Sequence, residues 1–175
     1  APADASPSDD ASSSSDAAAP ADASPSDALS ADAAAALCAP VGLNAIAQKI
    51  FVDASAPAPS TYAGGSLTTG TYILQLVTEY GATYSGPIRV MYIFDTTAQT
   101  LRIVEDPGNG TTVYIGLTYT LPNNGNSIAG SVVCSTAPNQ PSSMTWLYTA
   151  TPVQNTTHLL LRAVGSTSVL SFTGP

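Results

Sequence analysis

The stretch Thr111–Leu121, TTVYIGLTYTL, alternates from end to end. Val113, Ile115, Leu117, Tyr119 and Leu121 fall on one side of an extended chain, and Thr112, Tyr114, Gly116, Thr118 and Thr120 on the other. A period of two in residues that favour a pleated surface predicts a strand with one buried face. Pro122-Asn123-Asn124-Gly125 then stops it, and Asn-Gly between alternating segments is a strong hairpin signal.

The same pattern recurs on both sides. It predicts strands at about Thr71–Tyr80, Ile88–Asp95, Thr100–Glu105, Thr112–Leu121, Ile128–Ser135, Met144–Thr149, His158–Val164 and Ser168–Thr173. Turn chemistry separates them at Gly86-Pro87, Asp95–Ala98, Asp106–Gly110, Pro122–Gly125 and Gly165-Ser166. The longest irregular links expected are Thr136–Ser143 and Pro152–Thr157. Short links between sequential strands favour an all-β, antiparallel, eight-stranded up-and-down barrel, since closure removes the sheet edges. A β-sandwich is the alternative. A barrel of this size is filled by side chains or holds one small ligand.

The rest of the chain is different. Residues 1–36 are low in complexity, with APADASPSD at 1–9 and again at 19–27. Nothing apolar larger than Ala precedes Leu29, so this acidic Ala/Ser/Asp/Pro segment is expected to be a disordered linker. Residues 37–60 are expected to form a short helix and a connector that pack on the domain, and residues 61–175 the barrel. Ser30 is a fitting N-cap for a first helical piece over Ala31–Leu37. Leu43, Ile46, Ala47, Ile50 and Phe51 share one face of a second, expected to plug one end of the domain.

Charge follows the same division. Residues 1–48 hold seven acids and no Lys or Arg, and residues 49–175 hold five acids against four bases. The net −8 is therefore −7 in the tail and −1 in the body. With no basic run, neither nucleic acid nor an anionic membrane surface is an expected partner. No run of eighteen apolar residues marks a transmembrane span. The chain begins with Ala, and the expectation is an export signal already removed. Cys38 and Cys134 are the two cysteines. In an exported protein they favour one disulfide, closing a loop worth up to about 4–5 kcal/mol in the chain-entropy model; two buried thiols are the alternative. A metal site is not expected, since two distant cysteines and one histidine lack ligand spacing.

Gly65-Ser-Leu-Thr-Thr-Gly-Thr-Tyr-Ile-Leu74 resembles the first strand of small exported bacterial lipoproteins with a lipocalin-like barrel. The Asp/Ser/Ala/Pro linker and the strand ending Val132-Val133-Cys134 are similar as well. Thr69 stands where the family pattern has Asp, and Ser135 where Pro often follows the Cys. The resemblance implies a barrel in the bacterial envelope, periplasm or medium, with a lipid anchor upstream of Ala1. It implies no reaction. Cys38 is not the lipidated residue, because Leu37 is too large for the position before it and no apolar export segment precedes it.

The residues that carry chemistry are few. His158 is the sole histidine, and no G-x-S-x-G elbow accompanies it, so a strand-end surface histidine is expected rather than a catalytic triad. Glu105-Asp106 with Asn109 could hold Ca²⁺, but Asp-Pro-Gly-Asn-Gly is accounted for as a tight turn. Glu79 and Asp95 are too scattered for a glycosidase pair. Arg89 is placed outside by alternation, while Arg162 is ambiguous and, if inward, would pair with a ligand carboxylate or phosphate. Tyr72, Tyr92, Phe94, Tyr119, Trp146, Tyr148 and Phe172 fall mostly on inward faces, as core or as the lining of a lumen.

The expected function is non-enzymatic. An exported barrel, monomeric and without cofactor, would bind a small apolar or amphipathic molecule in its mouth through Tyr92, Tyr119, Trp146 and Arg162. That reading requires a real cavity. The alternative is a structural or adhesive envelope protein with a solid barrel, which binds a partner through its outer face or through the two irregular loops and exposes an apolar patch.

Overall fold

The computed structural model describes residues 29–43, 50–53, 57–81, 88–122 and 125–175. Most of the expected tail, 1–28, and the middle of the expected second helix, 44–49, lie outside these residues. Among the described residues there are nine strands: β1 (Ile50–Asp53), β2 (Gly70–Tyr80), β3 (Arg89–Asp95), β4 (Thr100–Asp106), β5 (Val113–Thr120), β6 (Ser127–Ser135), β7 (Ser143–Val153), β8 (Thr156–Ala163) and β9 (Ser168–Gly174). From β2 to β9 each strand pairs antiparallel with the next, and β2 pairs with β9. The result is a closed eight-stranded up-and-down barrel, and the sandwich alternative is set aside.

The expected strands match closely, with one correction. β7 runs on to Val153 and pairs down to Thr156, so the link expected over Pro152–Thr157 is a hairpin turned by Gln154-Asn155. Gln154 has φ 56°, the positive value that tight hairpin turns need at a central position.

The core holds all seven aromatic residues that alternation places mostly on inward faces. Tyr72, Phe94, Trp146, Tyr148 and Phe172 are at most 1% exposed, Tyr119 3% and Tyr92 5%. Their rings make edge and tilted contacts, Tyr72 with Phe94 at 5.4 Å and Phe94 with Tyr119 at 5.7 Å. Such pairs add about 0.5–1.5 kcal/mol beyond the area they bury. The middle of the barrel is therefore solid.

One end is also shut. Residues 64–69 cross it before β2 begins, and buried phenols fasten them. The Tyr148 hydroxyl donates to the Gly65 carbonyl at 2.8 Å. The Thr68 and Tyr72 hydroxyls share a hydrogen bond at 2.8 Å, and Thr68 also donates to the Pro175 carbonyl. Gly64 has φ 73° and lies so close to Gly125 that a Cβ would meet its carbonyl oxygen at 1.6 Å. No other residue type fits that crossing.

The N-terminal segment binds the outer wall. Helix α1 (Ala31–Leu37) is capped by Ser30, whose hydroxyl accepts from the Ala33 amide. It lies on the outside of β5 and β6, with Leu37 buried there. Cys38 and Cys134 form the expected disulfide. Beyond it, Arg102 donates to the Ala39 carbonyl at 2.6 Å, and Tyr114 donates to that of Val41 at 3.4 Å. β1 then adds to β2 in parallel, Ile50 opposite Val77 through Asp53 opposite Tyr80. Ile50 and Phe51, expected on a helix that plugs the domain, are thus in a strand on the barrel's flank. Local helical spacing lost to an open edge of β2, because among the described residues β3 pairs with β2 at Gly70–Ile73 alone.

Candidate functional site

The end opposite the shut one carries the tops of β2, β3, β4 and β9. A cavity of about 250 Å³ opens there. Val77, Ile88, Val90 and Leu170 form its apolar wall, and Tyr92 is its innermost aromatic residue. Ser166 and Ser168 stand at the β8–β9 side. Two carboxylates complete the lining, Glu79 from β2 and Glu105 from β4.

Glu79 reaches the interior through a β-bulge. Tyr72 and Leu74 point inward from β2, and a strict alternation would send Glu79 out with Ile73. The ladder to β9 jumps from Leu74 opposite Phe172 to Leu76 opposite Ser171, leaving Gln75 as the extra residue. Past that point the phase is reversed. Val77 and Glu79 face in, and Leu76 is left 43% exposed. Bulges next to functional sites re-aim side chains in this way. Glu79 is only 8% exposed, and its side chain has no hydrogen-bond or ion-pair partner among the described residues.

Glu105 is half-buried in the same cavity, and burial pushes its carboxyl above the usual glutamate range. Burial pushes the Tyr92 phenol up strongly, the Glu105 charge adds to this, and the Trp146 indole opposes it as a donor. The neighbouring Asp106 behaves oppositely. Arg89 hydrogen-bonds its carboxylate, as does the Gly108 amide, and these contacts hold it below the usual aspartate range. Alternation separates the two acids, Glu105 inside and Asp106 outside. Asn109 accepts from the Thr111 amide, so the Asp106–Gly110 segment is the turn that its sequence indicates. Among the described residues no cluster of metal-ligating side chains occurs.

Of the four residues expected to bind a ligand, Tyr92 and Trp146 are brought together, and the four do not form one site. Tyr92 lines the cavity. Trp146 is packed in the solid middle, 1% exposed, and Tyr119 lies deeper toward the shut end, beside Phe94. Arg162 is outside, between inward Leu161 and half-buried Ala163. Its Nε donates to the Ser166 carbonyl at 2.8 Å and its Nη1 to the Pro59 carbonyl at 2.9 Å. It ties the 57–63 segment to the β8–β9 turn. The acids Glu79 and Glu105, twenty-six positions apart, were the members that residue spacing missed. The adjacent pair Leu76-Val77 was the available signal, since two apolar neighbours break an alternating strand.

His158 is exposed on the outer face and has no side-chain hydrogen bond among the described residues. A second concavity of about 610 Å³ runs over the outside of β5, β6 and β7, bordered by Leu29. Its lining is mostly small and hydroxyl-bearing, including Thr118, Ser131 and Thr145, with no charged side chain among the described residues.

Fold and site together define a class: a closed eight-stranded barrel, solid in the middle, shut at one end and hollowed at the other beside two acids. Comparison with models of known protein families, with characterised proteins and with solved structures finds no match to this chain.

Proposed function

We propose that this domain is a non-enzymatic binder of a small amphipathic molecule, taken up at the open end of the barrel. The observation that carries it is the cavity, whose apolar wall ends in polar groups left free to meet a ligand. Pockets for small molecules have that make-up, apolar lining with a few convergent polar atoms. At about 250 Å³ it suits a compact ligand. The ligand goes no deeper than Tyr92, because the rings below are in contact, Tyr92 with Phe172 at 4.7 Å.

The setting we propose is outside the cytoplasm. The Cys38–Cys134 disulfide supports it, since such bonds persist in oxidising compartments. No helix among the described residues is long and apolar enough to cross a membrane. The resemblance to exported lipoproteins adds an anchor upstream of Ala1.

Ser168 tests the reading. It faces inward at the rim, opposite Glu79, and its side chain makes no hydrogen bond among the described residues. Ser168→Phe should fill the mouth and keep the fold. Native mass spectrometry of both proteins, purified gently from the producing cells, reads the result. A small organic mass on the parent that is missing from the variant is the expected outcome. Equal retention by a folded variant would move the site elsewhere.

A further inference from the structure

Resting on that reading, we infer that the ligand is a cation: a protonated amine on a short apolar body, its ammonium held between Glu79 and Glu105. The argument begins with an imbalance of charge. Two carboxylates line one small cavity, and no Lys or Arg among the described residues lines it with them. Glu79 is more than nine-tenths buried and has no partner among the described residues. A buried carboxylate without a counter-charge is costly, and native structures pair such groups. The other acid of this region, Asp106, does have its cation in Arg89. Arg89 is engaged on the outer side of the strand and does not line the cavity. With no counter-charge among the described residues, the positive charge is the one the ligand brings.

The geometry specifies which cation. An ammonium offers three donors, enough to engage two carboxylates and a hydroxyl such as that of Ser168. Val77, Val90 and Leu170 stand across the rest of the cavity and favour hydrocarbon. Calcium demands six to eight oxygen ligands, and an apolar wall supplies none. An anionic amphiphile such as a fatty carboxylate would meet two like charges, so it is the ligand this mouth excludes.

Three probes of equal length decide the matter: hexylamine, hexanol and hexanoate, each titrated into the full chain near neutral pH by ligand-observed NMR. The expected order is hexylamine above hexanol by about tenfold or more, with hexanoate not bound. Glu79→Gln and Glu105→Gln should each weaken hexylamine about tenfold and leave hexanol unchanged. Hexanol binding as well as hexylamine would overturn the cation and keep the pocket. None of the three binding would overturn both. Calcium chloride alone raising the melting temperature of the parent, but not of Glu79→Gln, would replace the amine with a metal ion. Both glutamines are close in shape to the originals, and a circular dichroism melt of each confirms that the barrel is intact.

Discussion

At the scale of single residues, Glu105 and Asp106 are chain neighbours with opposite fates. The strand pleat sends one into the cavity and the other toward Arg89. Burial raises the carboxyl of Glu105, whereas the Arg89 hydrogen bond and the Gly108 amide lower that of Asp106. The signs for stability follow. A raised folded pKa means that the contribution of Glu105 is intact below its unfolded pKa and is lost as pH rises through the folded value. The contribution of Asp106 is present above its unfolded pKa and is lost as pH falls through the folded value. Carboxyl-carbon NMR should show Asp106 titrating below the ordinary aspartate range and Glu105 above the ordinary glutamate range. Coincident titrations would mean that the two acids share one environment.

At the scale of elements, two bulges settle the placements that alternation gets wrong. Gln75 reverses the phase of β2 and brings Glu79 inside. In β6 the pairing steps from Leu117 opposite Val132 to Gly116 opposite Cys134, so Val133 is the extra residue. Ile128, Gly130 and Val132 point inward, and without that step Cys134 would follow them, out of reach of Cys38. The strands themselves were legible because each buries one face and is ended by turn residues. The bulges were not, since one extra residue leaves composition and spacing nearly untouched. Nor was the pairing of β1, which depends on where β3 leaves the edge of β2.

The first bulge makes a contrast testable. Deleting Gln75 should leave a regular strand with Val77 and Glu79 still inward, so the protein folds and binds hexylamine. Deleting Thr78 should swing Glu79 outward and abolish that binding. Equal behaviour of the two deletions would show that strand phase does not set the site. The second bulge works with Gly116, where an added Cβ would meet the Leu37 Cβ at 2.6 Å and the Cys134 Sγ at 2.8 Å. Gly116→Val should cost about 1–3 kcal/mol through overpacking against the stapled helix. With Cys38→Ser and Cys134→Ser also present, the helix can move away and the cost should shrink. Denaturant unfolding of the four proteins in the cycle measures the coupling, and simple additivity would place α1 elsewhere.

At the scale of the whole molecule, the two ends of the barrel are built to different purposes. The shut end satisfies most of its described polar groups: the Tyr148 hydroxyl on Gly65, the Tyr72 hydroxyl on Thr68, and the Gly64 backbone bonded to Tyr148 and Ala150 of β7, while the Asn126 Oδ1 is buried there without a partner among the described residues. The open end leaves two carboxylates facing a cavity that no cation of the described residues lines. A structural end gains from every polar contact, whereas a binding end holds groups in readiness at a cost to the unliganded fold. Substitutions should therefore act with opposite sign at the two ends. Tyr148→Phe removes a buried donor, strands the Gly65 carbonyl, and should cost about 1–3 kcal/mol. It should also speed hydrogen exchange at the Gly64 and Ala150 amides, which hold the crossing segment to β7. Glu105→Gln removes a charge that burial disfavours, so the melting temperature of the unliganded protein should rise near neutral pH. That gain should vanish in acid, below the unfolded pKa of a glutamate, where both proteins carry a neutral side chain. Thermal melts of the three proteins across pH, with ligand stripped beforehand, are sufficient to decide. Loss of stability in Glu105→Gln near neutral pH would make the acid a structural partner, and the open end would then be only a second way of closing the barrel.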